Sequence, residues 1–190
     1  MNKIITLFFV IGLSILISCG GNEADSGGVV SKDAQENSLS EEELMRLAML
    51  IEPSPKSYQA DQMNKLVQYA IDHNWPVQQS ESGLLYYIQS KGDGDKIGEK
   101  GKVMVQYKGY LVDDRVFDSS FDRGQPSIFT INEVIPAWQE GLQYIREGGT
   151  IYVLANSDLG YGARGAGKLI KPYTPLIFEI ELVSIVGNSE

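Results

Sequence analysis

Apolar residues fall along this chain in three rhythms. Ile4 to Ile17 is almost unbroken. Leu44, Leu47, Ala48 and Ile51, and then Met63, Leu66, Val67, Ala70 and Ile71, recur three and four apart. Beyond about Ser82 the spacing drops to two. A period near 3.6 marks amphipathic helices, and a period of two marks strands with one face buried. The pattern predicts two short helices followed by a sheet.

The start of the first helix is written in Ser40-Glu41-Glu42-Glu43, a capping box with Ser at the N-cap and Glu at N3. Pro53 and Pro55 end it. The second helix is predicted from Asp61, as N-cap, to about Asn74, and Trp75-Pro76 closes it. Helices this short are marginal alone in water, so their apolar stripes need a partner. That partner is either the domain behind them or a second copy of the chain. His73 falls on a mostly polar face and reads as a surface residue.

In the strand region, Leu84 to Ile88 is an apolar and aromatic run followed by turn-rich KGDGDKIGEKG. Val103, Val105, Tyr107, Gly109 and Leu111 alternate with Met104, Gln106, Lys108 and Tyr110. Residues 150–156 and 176–185 alternate too, with Leu176, Phe178, Ile180 and Leu182 on one side and Glu179 and Glu181 on the other. One helix interrupts. Pro136 suits its N1 position, Trp138, Leu142 and Ile145 fall at i, i+4 and i+7, and Gly148-Gly149 stops it. A mainly antiparallel sheet with one helix is an α+β domain. It occupies 82–190, with 40–81 as a short helical extension.

The leading segment is a different kind of sequence. Lys3 precedes an apolar run shorter than the roughly 20 residues that span a bilayer. Residues 1–18 suit a secretory signal peptide. Leu16-Ile17-Ser18-Cys19 resembles a bacterial lipobox. That resemblance implies cleavage before Cys19 and attachment of acyl chains such as palmitate, making Cys19 the lipidation site of a membrane anchor. Residues 19–39 are rich in Gly, Ser, Asn and acids, with only Val29-Val30 apolar over Gly20 to Ser38. Such a stretch buries too little to offset its ordering entropy and reads as a flexible tether.

Charge and composition narrow the function. The chain has 16 Lys plus Arg against 25 Asp plus Glu, a net −9. This argues against nucleic acid as a partner, which needs clustered cations. A single cysteine excludes an intramolecular disulfide framework and Cys-cluster metal sites, and the single histidine excludes multi-His sites. No metal or cofactor is expected. Gly160-Tyr-Gly162-Ala-Arg-Gly165 spells G-x-G-x-x-G, but AGKLIKPYTP after it cannot be the helix that a dinucleotide site needs. Asp93-Gly94-Asp95 lacks the later ligands of a calcium loop and reads as a hairpin turn. With His73 outside the domain, no Ser/His/Asp triad is available.

What remains is a set of aromatic residues with few charges, among them Tyr107, Phe117, Phe129, Trp138, Tyr161 and Phe178. They occur in an ordered series: Val105 to Leu111, then Val116-Phe117-Asp118-Ser119-Ser120 with Arg123, then Val134-Ile135-Pro136-Ala137-Trp138, Gly148-Gly149, Leu159-Gly160-Tyr161-Gly162, and Leu176-Ile177-Phe178-Glu179. From about Ser82 to Val186 this series resembles the FKBP-type peptidyl-prolyl cis–trans isomerase family. The resemblance implies a bent antiparallel sheet of about five strands wrapped around one helix, with a shallow apolar pocket between them. By motif, Tyr107, Phe117, Val134, Ile135, Trp138 and Phe178 would line the pocket, Trp138 as its floor, and Ile170 would close one wall. Tyr161 would donate a hydrogen bond to a substrate carbonyl. Asp118 would sit near the twisting amide, held by Tyr107 or Arg123. Proline-containing polypeptides of the bacterial envelope would be the clients.

Four departures stand out against the family pattern: Asp114 at a hairpin position that is commonly Gly, Ser127 where larger residues are common, Ala137 before the Trp, and the Arg164 to Lys168 loop. The order of lipobox, acidic helices and isomerase domain also resembles gliding-motility-associated lipoprotein isomerases. It implies an anchored protein, at the outer membrane facing the periplasm. A rival reading makes the pocket a non-catalytic chaperone or assembly module, possibly for a motility apparatus. Another lets the leading helices dimerise.

Overall fold

The computed structural model describes residues 38–98 and 101–187. The expected signal peptide, the lipidation site Cys19 and nearly all of the tether lie outside the described residues. Leu39, at the tether's end, is already buried. Among the described residues, no helix is long and apolar enough to cross a membrane.

Two helices lead. α1 (Glu41–Ala48) has the expected capping box: Ser40 Oγ accepts from the Glu43 backbone N–H at 3.2 Å, and Glu43 Oε2 accepts from the Ser40 backbone N–H at 2.8 Å. α2 (Tyr58–Asp72) begins earlier than Asp61. Its N-cap is Ser57, whose side chain accepts from Ala60 N–H. Asp61 lies instead in the first turn, where a carboxylate favours the helix dipole, and it pairs with Lys65 at 2.7 Å.

The strands are β1 (Gln78–Gln79), β2 (Leu85–Ser90), β3 (Lys102–Tyr110), β4 (Val116–Ser119), β5 (Ser127–Thr130), β6 (Thr150–Ala155) and β7 (Leu176–Gly187). They form one antiparallel sheet of seven strands in the order β1-β2-β6-β7-β3-β4, with β5 also on β3. The count exceeds five because β4 and β5 share the same edge of β3 and a two-residue β1 is added at the far edge. β2 and β3 are not a hairpin, contrary to the turn expected at Asp93-Gly94-Asp95. β2 pairs with β6, and residues 91–95 bond to the turn before β6, with Arg146 N–H to Lys91 O at 2.8 Å and Glu147 N–H to Asp95 O at 3.1 Å.

The helix across the inner face, α3 (Pro136–Gly141), is one and a half turns long and tightens into a 3-10 turn over Leu142–Tyr144. Trp138, Leu142 and Ile145 are all buried, as their spacing requires. Gly141 lets the helix lie close to β6, since a Cβ there would come within 2.6 Å of Val153 Cγ1.

The sheet is covered on both faces, which the one-faced reading missed. One core holds Leu84, Val103, Val105, Ile151, Val153, Leu176, Phe178 and Ile180 beneath α3. A second holds Leu47, Leu66, Val67, Ala70 and Val77 against Leu85, Leu154 and Ile177 on the opposite face. α1 and α2 therefore dock on the sheet of their own chain. At the end of α2, the Tyr69 hydroxyl donates to Asp114 at 2.6 Å, and His73 stacks on Tyr69 with Nε2 3.4 Å from Asp114. Asp114 stands in the β3–β4 turn with φ of 63°, a conformation Asp tolerates, and its side chain ties that turn to α2.

Candidate active site

Inward-facing positions of β3, β4 and β7, with α3, converge on one hollow of about 210 Å³. β3 contributes Tyr107, β4 contributes Phe117 and Asp118, and β7 contributes Phe178. Val134 and Ile135 lead into α3, which carries Trp138, and the loop after β6 contributes Tyr161. Trp138 is 4% exposed and forms the base. Three rings stand edge-on to its indole: Tyr107 at 5.0 Å, Phe129 at 5.5 Å and Phe178 at 5.5 Å, with interplanar angles of 80–88°. Edge-to-face contact suits the ring quadrupoles and fixes the walls. The indole Nε1–H is buried without a partner among the described residues.

Gly109 shapes one wall. A Cβ there would meet Phe117 Cζ at 2.5 Å, so glycine in mid-strand lets the Phe117 ring lie on β3.

The rim is polar on one side. The Tyr107 hydroxyl donates to Asp118 Oδ2 at 2.5 Å, and Arg123 pairs with Asp118 Oδ1. Arg123 Nη2 also donates to the Tyr107 hydroxyl at 2.9 Å and to Ser127 Oγ at 3.1 Å. Ser127 is thus a support for Arg123, which gives its departure a structural role. Burial pushes the Asp118 carboxyl up, but the hydrogen bonds from Tyr107 and Arg123 outweigh it and hold the pKa below the ordinary value. Burial, and then the bond to Asp118, raise the Tyr107 hydroxyl. Tyr161 is 39% exposed at the mouth, and burial followed by the charge of Asp118 raises its pKa. No hydrogen bond to its hydroxyl is found among the described residues, leaving a protonated donor at the opening.

Two of the residues expected at the site are not part of the hollow's lining. Arg123 lies behind Asp118, which it holds as expected. Ile170 is buried next door, where the 166–170 bridge and Tyr161 border an adjoining groove. Two lining residues lay outside the expected set. Phe129, on β5, belongs to the ordered aromatics but to none of the motifs that mark the pocket. Glu133 follows from a three-residue 3-10 turn (Ile131–Glu133), too short for any periodic signal. The G-x-G-x-x-G stretch follows a 3-10 turn and continues as turns into the Ala166–Ile170 bridge, with no helix to receive a phosphate. Among the described residues no three His, Cys, Asp or Glu side chains gather as metal ligands.

The chain is similar to known proteins. The sequence model of the FKBP-type peptidyl-prolyl cis-trans isomerases matches residues 94–183. A probable FKBP-type peptidyl-prolyl cis-trans isomerase of Haemophilus influenzae is 45% identical over 114 residues, 60% of this chain and 47% of the relative. The outer membrane protein MIP of Legionella longbeachae is 44% identical over 104 residues, 55% of this chain and 45% of the relative. The chain spans about half the length of these curated relatives. A solved peptidyl-prolyl cis-trans isomerase from Pseudomonas syringae superposes with a TM-score of 0.59 at 33% identity, covering 70% of this chain and 98% of that one. A match over nearly all of that enzyme, together with the indole-based hollow, means that this chain belongs to the FKBP-type peptidyl-prolyl cis-trans isomerase family.

Proposed function

We propose that the chain catalyses cis–trans isomerisation of X-Pro bonds in polypeptides of the bacterial envelope. The observation behind this reading is the apolar hollow based on Trp138, with an ionised Asp118 and a protonated Tyr161 at its mouth. Rotation about an X-Pro bond breaks no covalent bond, so neither nucleophile nor metal is required. The barrier of roughly 18–20 kcal/mol comes from amide resonance. At the twisted transition state that resonance is lost, and the carbonyl oxygen carries less charge than in either planar form. An apolar aromatic site therefore stabilises the twisted state relative to the planar ones, and each ~1.4 kcal/mol of that difference gives about tenfold in rate. Tyr161 holds the substrate carbonyl, Asp118 holds the rim in place, and the ring box holds the proline.

The purified protein should accelerate cis-to-trans exchange of a short X-Pro peptide. No acceleration over the uncatalysed rate sinks this reading. Acceleration combined with normal cellular function of a folded, pocket-dead variant would favour the binding-module alternative instead.

The envelope reading also rests on the signal-like residues 1–18, on Cys19 in its lipobox setting, and on a relative named as an outer membrane protein. Labelled palmitate should enter the wild-type protein and not Cys19→Ala. For dimerisation through the leading helices, the exposed apolar residues are Leu44 and Met45 on α1, Met49 just past its end, and Tyr58 at the start of α2. A purely monomeric sedimentation profile ends the dimer idea.

A further inference from the structure

Two open grooves continue the hollow along the 164–172 loop. The nearer, about 350 Å³, shares Phe117, Asp118 and Tyr161 with it, and the farther, about 670 Å³, shares Tyr161. Lys168 lines the first, and Arg164 and Lys171 line the second. From Leu159 to Phe178 the chain has these three cations and no acid, in a protein of net charge −9. All three are exposed, and none is in a salt bridge among the described residues. Asp118, which borders the nearer groove, is paired with Arg123, and Asp158, just before the loop, is bonded to Tyr58 and Gln59; Glu133 lines the hollow but neither groove. Building on the isomerase reading, we infer that this loop selects client segments with an acidic side chain within a few residues of the proline. A polypeptide leaving the hollow past Tyr161 runs into positive potential, which raises encounter rates and holds carboxylates beside the loop.

The test uses three X-Pro peptides flanked by Glu, Gln or Lys on both sides of the proline. Rates should rank Glu above Gln above Lys, with Glu over Gln about three- to tenfold at low salt. The ratio should collapse toward one in about 1 M salt, where charges are screened beyond roughly 3 Å. It should collapse likewise in the Arg164→Gln/Lys168→Gln/Lys171→Gln protein. Equal rates for all three peptides, or a ratio that survives the triple substitution, overturns this inference and leaves the isomerase reading standing. No turnover of any peptide overturns both.

An independent observation concerns α2. Gln62 is 2% exposed, and its side chain is fully engaged with the loop carrying Tyr161. Oε1 accepts from Ser157 N–H at 2.7 Å, and Nε2 donates to Ser157 Oγ at 3.1 Å and to the Tyr173 carbonyl at 2.9 Å. Ser157 and Tyr173 are the two ends of that loop. They are tied through Gly162, whose N–H donates to Ser157 O at 2.8 Å and whose carbonyl accepts from Tyr173 N–H at 2.9 Å. The Tyr58 hydroxyl adds a bond to Asp158 at 2.9 Å. The geometry points to Gln62 as a positioning residue that sets Tyr161 through the loop base, which makes the leading helix part of the working site.

Gln62→Met keeps the shape and removes the bonds. It should lower kcat/KM about tenfold in a protein still folded by circular dichroism, and by much less in a Tyr161→Phe background, because groups acting through one another are not additive. The same loss in both backgrounds, or none in either, overturns the assignment. Should Gln62→Met fail to fold, Tyr58→Phe, at an exposed contact, should show the same non-additivity on a smaller scale, and additivity there overturns it equally.

Discussion

The Tyr107 hydroxyl reaches Asp118 Oδ2 at 2.5 Å, while Arg123 grips the other oxygen of the same carboxylate. Together they keep Asp118 ionised below its ordinary pKa of 3.8 despite partial burial. A lowered carboxyl contributes stability that is present above its unfolded value and is lost as pH falls through the folded one. Tyr161 is displaced the other way, above 10.0. The rate should therefore be flat across the neutral range, with an acid limb below 3.8 and no alkaline limb from Tyr161 before 10.0. Tyr107→Phe should move the acid limb upward and lower kcat/KM about fivefold, since a bond to a half-exposed charge is worth roughly 1 kcal/mol. A pH–rate profile checks both, and an acid limb that does not move would show that Tyr107 leaves Asp118 untouched.

Trp138 is buried at the base of the hollow, and its Nε1–H has no partner among the described residues. Trp138→Ala should cost about 3–5 kcal/mol by opening a cavity among three rings. Trp138→Phe should cost much less, because it also removes an orphaned donor worth about 1–3 kcal/mol. Both should slow isomerisation, and Trp138→Ala should slow it more. Denaturant unfolding alongside peptide kinetics measures the pair, and near-equal stability of the two variants would contradict the packing argument.

Much of this site was legible because its residues lie in short motifs whose order along the chain is fixed. Tyr107, Phe117-Asp118, Val134-Ile135 with Trp138, and Tyr161 come from four separate segments that the structure brings to one hollow. What escaped lacked a local signal. Glu133 reaches the hollow from a single 3-10 turn. The expected start of α2 fell late because an Asp suits a helix's first turn as well as its cap, and Asp61 sits in the first turn after the cap Ser57. The second covered face had a signal that period-two reasoning discounts. Leu84-Leu85, Val153-Leu154 and Leu176-Ile177 are adjacent apolar pairs, and adjacent residues of a strand point to opposite faces. Both members of each pair are fully buried.

Gly109 and Phe117 make a sharper test of the pocket wall than any change at the rim. In Gly109→Ala the new methyl would occupy the Phe117 ring position, so the ring must move into or away from the hollow. Overpacking of this kind typically costs about 1–3 kcal/mol. The rate should fall, and Phe117→Leu in the same chain should restore part of the lost stability, because the smaller side chain relieves the clash. No recovery of stability in the double variant would mean the strain lies elsewhere on β3.

The helices α1 and α2 can be tested as structure rather than appendage. Leu66 is fully buried between α2 and the outer face of the sheet, whereas Met49, just past the end of α1, is 81% exposed. Leu66→Ala should therefore lower the unfolding free energy by about 2–5 kcal/mol. Met49→Ala should stay within about 0.5 kcal/mol. The Leu66 loss should appear in one cooperative transition shared with the sheet, because the two cores meet back to back across β2, β6 and β7. A separate early transition, or equal and small effects at both positions, would mean that the helices fold independently of the strands they cover. Chemical denaturation followed by both circular dichroism and tryptophan fluorescence distinguishes these outcomes, since Trp75 reports on the outer core and Trp138 on the inner one.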